Sequence, residues 1–66
     1  MKLNAANLKT ARALAGLSGA FVARQVGMNP QSFYYVEAGR NGVSVDKLFR
    51  LSRVLGVQTQ YLTQGV

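Results

Sequence analysis

Between Asn29 and Tyr35 the chain reads Asn-Pro-Gln-Ser-Phe-Tyr-Tyr, and five of these residues, Asn29, Gln31, Ser32, Tyr34 and Tyr35, carry uncharged hydrogen-bonding groups. A glutamine can bond an adenine edge through two atoms, a serine can donate or accept, and a tyrosine can touch a thymine methyl or reach a phosphate with its hydroxyl. No acid interrupts the set before Glu37, so a polyanion would meet no repulsion there. This is chemistry for reading hydrogen-bonding edges. The chemistry of making and breaking bonds lacks its parts: the chain has no His, no Cys and only two acids, Glu37 and Asp46. General acid–base pairs and the usual zinc sites are therefore not expected, nor is any cofactor or metal, and an enzyme is an improbable reading.

The charge balance points the same way. Eight Lys or Arg against two acids give a net charge of +6, which favours nucleic acid or an acidic membrane surface, with plain solubility as the competing explanation. The positive residues are scattered, which argues against a disordered basic arm. Sixty-six residues make one domain. A chain of this size buries only about 60% of its unfolded surface, so a partner subunit would help it. No apolar run approaches the roughly 20 residues of a membrane span, no signal-peptide core opens the chain, and the absence of Cys suits the cytoplasm.

The reading set needs elements to hold it, and the sequence punctuates them with caps and glycines. Asn4 can cap a first helix, Ala5 to Ala15, stopped by Gly16, with Leu8, Ala11, Ala15 and Leu17 on one side. Ser18 can cap a second of about eight residues, with Val22, Ala23 and Val26 inward and Gly27 after it. Asn29 can cap a third, over about 30–38, with Pro30 at the favoured first position and Phe33 and Val36 buried. Ser44 can cap a fourth, to about Leu55, in which Leu48, Leu51 and Leu55 repeat at helical spacing and Asp46 sits in the first turn. A short fifth, about Thr59 to Gln64, is anchored by Leu62. Only Gly42–Asp46 hints at a strand-like alternation. The expectation is an all-α fold: a compact five-helix bundle, one domain over residues 1–66.

Ser18 to Gly39 has the layout of a helix-turn-helix. Ala23 is small enough for a helix crossing, Gly27 can take the positive φ of a sharp turn, and Met28 can tuck that turn against the core. The plainer possibility is a helical hairpin with an amphipathic second helix. From Leu8 to Gly65 the chain also resembles the lambdoid phage repressor and Cro family in its five-helix form. The resemblance rests on LKTAR (8–12), GLS (16–18), VARQVGM (22–28), QSFYYVEAG (31–39), KLFRLSRVLGV (47–57) and YLTQG (61–65).

That resemblance implies a DNA-binding repressor whose third helix enters the major groove. It implies that Asn29, Pro30, Gln31, Ser32 and Tyr35 lie near base edges, with Tyr34 closer to the backbone. It further implies an ion pair between Arg12 and Glu37, for which a phosphate contact or a solvated charge is the alternative at Arg12. Phosphate contacts are expected from Lys9, Ser18, Gly19, Arg24, Arg40, Asn41 and Ser44, with a turn-prone, mobile Asn41-Gly42. Lys47, Arg50 and Arg53 form a stripe on the fourth helix that reads as a solvated face.

Three residues depart from the family pattern. Gly19 stands where a Gln usually braces the site, Pro30 where a base-reading residue is common, and Phe21 where a charge is usual. For Phe21 ordinary packing is the first reading, with a partly exposed apolar residue, a wedge at the DNA or a contact with another protein as the alternatives. Relatives dimerise near the fifth helix on palindromic sites, which suggests Phe49, Tyr61, Leu62 and Val66 for the contact between copies, weak or formed on DNA. Two other readings stand beside the repressor. One is an antitoxin-like module of the same fold that grips a protein and regulates its own operator, for which an extra tail or strand would be the sign. The other is a cationic membrane-active peptide, which the unsegregated charges and the caps disfavour.

Overall fold

Four side-chain caps start the four longest helices. A computed structural model describes residues 1–66 and places α1 at Ala5–Leu14, α2 at Gly19–Gln25, α3 at Pro30–Glu37, α4 at Val45–Leu55 and α5 at Thr59–Thr63. Asn4 Oδ1 accepts from the Asn7 amide at 3.0 Å, Ser18 Oγ from Phe21 at 3.1 Å, Asn29 Oδ1 from Gln31 at 2.8 Å and Ser44 Oγ from Lys47 at 3.2 Å. Each satisfies one amide that a first helical turn leaves without a partner, worth about 1 kcal/mol. Gly27, at φ +76°, makes the turn between α2 and α3 in a conformation closed to most L residues. No helix is long and apolar enough to cross a membrane.

The helix ends are slightly shorter than the sequence suggested. Ala15 caps α1 from outside and is exposed, because the chain turns away at Gly16 and Leu17 packs against the core in its place. The second helix has seven residues, α3 stops at Glu37 and α5 at Thr63. Residues 42–46 form no strand. Val43 is buried in the loop, and Val45 opens α4 with its side chain exposed.

The core is built from the faces that helical spacing selects. Leu8 and Ala11 of α1, Val22 and Ala23 of α2 with Val26 after it, Phe33 and Val36 of α3, Leu48, Leu51 and Leu55 of α4 and Leu62 of α5 form one cluster. Phe33 is the largest fully buried side chain. The second and third helices pack on each other, α1 supports α3 and α5, and α4 lies against α2 and α5.

Two members of the core, Leu3 and Val43, come from segments well away from any helix end in the α2–α3 pair. The Met1 amine donates to the Val43 carbonyl at 2.6 Å, and the Val43 amide returns a bond to the Met1 carbonyl at 2.8 Å. Gly42 permits this approach, since a Cβ there would stand 2.2 Å from the Met1 carbonyl oxygen. Asn4 then donates from its backbone to Leu62 and from Nδ2 to Gln64, and Asn7 Nδ2 donates to Tyr61. This first segment thus ties the loop after α3 to the end of α5. The Asn41-Gly42 turn, expected to be mobile, leads directly into the anchored Val43.

Candidate nucleic-acid interface

Successive helical residues lie about 100° apart, so the buried Phe33 and Val36 fix where every other residue of α3 points. Gln31, Tyr35 and Ala38 fall opposite the buried side and form its outward stripe. Ser32 flanks the stripe on one side and Tyr34 on the other. Glu37 lies beyond Tyr34, turned towards α1. All four of Gln31, Ser32, Tyr34 and Tyr35 are exposed, and none makes a side-chain hydrogen bond within the protein. Asn29 is committed at its Oδ1 by the cap to Gln31 and keeps its Nδ2 amide free to donate.

Behind this face the polar groups are satisfied. Arg12 of α1 and Glu37 at the end of α3 are joined twice, by Arg12 Nε to Glu37 Oε2 and by an Nη to Glu37 Oε1 at 3.1 Å. The other Nη of Arg12 donates to the Leu17 carbonyl at 2.9 Å. The fork of the guanidinium therefore links α1, the α1–α2 turn and the C-terminal end of α3. The side chains are 19% and 9% exposed, which makes the pair half-buried. The hydrogen bond to Glu37 raises the Arg12 pKa above its ordinary value; burial opposes this, and the charges of Glu37 and Tyr34 add to it.

The expected phosphate residues differ in exposure and in their partners. Lys9, Ser18, Arg24, Arg40, Asn41 and Ser44 are all exposed. Ser18 and Ser44 use their hydroxyl oxygens as acceptors in caps, which leaves each O–H as a donor. Arg40 lies over the Tyr35 ring with its guanidinium carbon 5.4 Å from the ring centre, so the loop after α3 contacts the outward stripe directly. Gly19 is different: it is buried, with Tyr34 and Phe33 against it, and this removes it from the phosphate set. The helix-4 stripe is also less uniform than a solvated face. Arg50 pairs with Asp46 at 3.0 Å, and Lys47 and Arg50 both reach the Gly27 turn.

The residues expected at a contact between copies do not share one surface. Leu62 is wholly buried and closes the core, so it leaves that set. Phe49 and Val66 are exposed and line one concavity with Met1 and Val45. Tyr61 lines another with Leu14, Ala15, Leu55 and Val57. Leu14 is 83% exposed, an apolar side chain that helical spacing put on no buried face and that the sequence reading passed over. Phe21 is also partly exposed rather than packed.

A family model described as a helix-turn-helix domain matches residues 5–63. No curated protein sequence matches the chain. Among solved structures, the restriction-modification controller protein C.AhdI from Aeromonas hydrophila is similar with a TM-score of 0.79 at 24% identity, over 86% of each chain, a likeness of fold. Apo-HppE is similar with a TM-score of 0.80 at 30% identity, over 89% of this chain and 33% of that one. A hypothetical transcription factor, NHTF from Neisseria, gives 0.77 at 26% identity, over 86% of this chain and 66% of that one.

Proposed function

Because this chain belongs to the helix-turn-helix domain family, we propose that it binds double-stranded DNA by laying α3 in the major groove and that it regulates transcription, as a repressor. The observation that carries this reading is the outward face of α3: exposed hydrogen-bonding side chains with no partners inside the protein and no acid among them. A net charge of +6 supports it, as does the similarity at 26% identity to a protein described as a hypothetical transcription factor.

In this reading Gln31 and Tyr35 are the central base readers, with Asn29 and Ser32 beside them at the groove edge. Arg40 grips the sugar-phosphate backbone while steadying Tyr35 from above. Lys9, Arg24 and Asn41 add phosphate contacts, and Ser18 and Ser44 donate their hydroxyl protons. None of these contacts requires catalysis. Repression follows from occupancy, since a domain seated in the groove excludes other proteins from the same site.

One such domain spans too few base pairs to discriminate well. Two copies on a palindromic operator, their recognition helices about 34 Å apart, would supply the missing specificity. The concavity formed by Leu14, Ala15, Val57 and Tyr61 suits the contact between copies because it carries no charge, so two cationic chains repel least there. With so little apolar surface the dimer forms mainly on DNA. Fluorescence anisotropy of a labelled random-sequence duplex pool tests the proposal, titrated from about 50 to 200 mM salt. Binding that weakens steeply with salt, followed by selection of a palindromic site, is the expected result. No binding at the lowest salt would overturn it.

A further inference from the structure

Gly19 opens α2, yet glycine is a poor helix former, and here it is not needed for its backbone freedom. The glycines at positive φ are Gly16, Gly27, Gly39, Gly56 and Gly65. What Gly19 offers is the absence of a side chain. A Cβ at this position would stand 2.9 Å from Cε1 of Tyr34, closer than real Cβ atoms come, but at ordinary contact, 3.5 and 3.6 Å, from the Phe33 ring. Phe33 is fully enclosed and could not give way, whereas Tyr34 is 49% exposed and could. Only the ring of Tyr34 therefore comes too close to a Cβ at 19, and it is the ring that would have to move. By helical spacing Tyr34 flanks the stripe of Gln31 and Tyr35 on the Glu37 side of α3.

We infer that Gly19 and Tyr34 are a matched pair that sets sequence preference: the bare Gly19 backbone receives the Tyr34 ring and holds it off the reading face. Tyr34 is then a positioning residue, bracing α3 against the first turn of α2 and leaving base contacts to its neighbours. A side chain at 19 swings the ring towards the outward stripe, where it crowds Gln31 and Tyr35. This inference rests on the proposed DNA reading.

The test compares the wild type with Gly19→Ala, Tyr34→Ala, the double variant and Tyr34→Phe. Two readouts are taken: chemical denaturation, and specific against random-sequence duplex affinity, the specific duplex being selected by the wild type. With Tyr34 present, Gly19→Ala gains less in the folding constant than helix propensity offers, because the ring must move aside. With Tyr34→Ala it raises that constant by up to about fivefold, as helix propensity dictates once the ring is gone. Gly19→Ala lowers the ratio of specific to random-sequence affinity by about five- to tenfold, the size of one base contact. Tyr34→Phe keeps the ratio within about twofold of wild type, because the ring and not the hydroxyl fills the space.

An effect of Gly19→Ala on folding that is the same with and without the ring overturns the pairing. Coupled folding with an unchanged sequence preference overturns the role in specificity. So does a changed preference in Tyr34→Phe, which would make the hydroxyl a base contact. If Gly19→Ala alone fails to fold and the double variant folds, the pairing is supported, and the two Tyr34 variants carry the preference test. A wild type that binds no duplex defeats the DNA reading itself, and the folding cycle, which needs no DNA, still decides the pairing.

Discussion

The two sides of α3 are built on opposite rules. Towards α1 and the core every strong group is spent: Phe33 and Val36 are enclosed, and Glu37 is held by Arg12, which is itself tied to Leu17. Towards solvent Gln31, Ser32 and Tyr35 make no side-chain hydrogen bond inside the chain, and only the Tyr35 ring has a neighbour, Arg40. The contrast teaches that an unpartnered face gets its precision from the partnered one behind it. Side chains free to meet a ligand can be positioned only by a helix whose depth and rotation are fixed elsewhere. Substitutions on the two sides should therefore fail differently, inner ones in folding and outer ones in recognition.

Phe33→Ala breaks the inner side most severely. It removes the largest fully buried side chain, and a cost of about 3–5 kcal/mol is a large share of a small domain's stability. Circular dichroism and thermal melting should show an unfolded or barely folded chain at 37 °C. Glu37→Ala comes next. It strands the Arg12 guanidinium in a half-buried site, costing about 1–3 kcal/mol, while Glu37→Gln, which keeps one of the two acceptor oxygens for the fork, costs less. Denaturant midpoints measure both, and equal losses would mean that charge rather than hydrogen bonding holds the end of α3.

The outer side responds in binding alone. Gln31→Ala should leave the melting temperature unchanged and lower specific affinity by about 1–3 kcal/mol, with less loss on random duplex. Equal losses on both duplexes would remove Gln31 from the base readers. The smallest effect is expected from Arg40→Ala. It weakens all sequences alike and flattens the logarithmic salt dependence by about 0.9, the amount that one phosphate interaction contributes. An unchanged slope would leave Arg40 with only its stacking on Tyr35.

The inner side was the legible one, because its signals are local. Asn4, Ser18, Asn29 and Ser44 cap the nearest amides whatever the rest of the chain does, and Gly27 turns for reasons internal to its own backbone. Leu48, Leu51 and Leu55 declare their buried face by spacing. The Arg12–Glu37 pair spans 25 positions and follows from no spacing rule, so only the family resemblance suggested it. What local patterns could not carry was tertiary. The docking of residues 1–4 against Val43 and α5 depends on backbone groups that look alike in every sequence. Leu62 and Tyr61 are adjacent in the chain, yet one is sealed in the core and the other opens on a groove beside Leu14, which only the packing of α1 against α5 decides. Gly19 read as a missing brace because a glycine's neighbours are invisible until the chain is folded. A Cβ at position 19 would stand 2.9 Å from Tyr34 Cε1, so the glycine's emptiness leaves room for that ring.

The central claim is that the outward face of α3 meets the duplex, and amide chemical-shift mapping tests it most directly. A 15N-labelled chain of 66 residues resolves well, and a selected duplex can be titrated in at low salt. The largest shifts should fall in the first turn of α2, along α3 from Asn29 to Tyr35 and in the loop through Arg40 and Asn41. Val45, Phe49 and Val66 should stay nearly still. Shifts concentrated instead on the face of Met1, Val45, Phe49 and Val66, with α3 unmoved, would contradict the account.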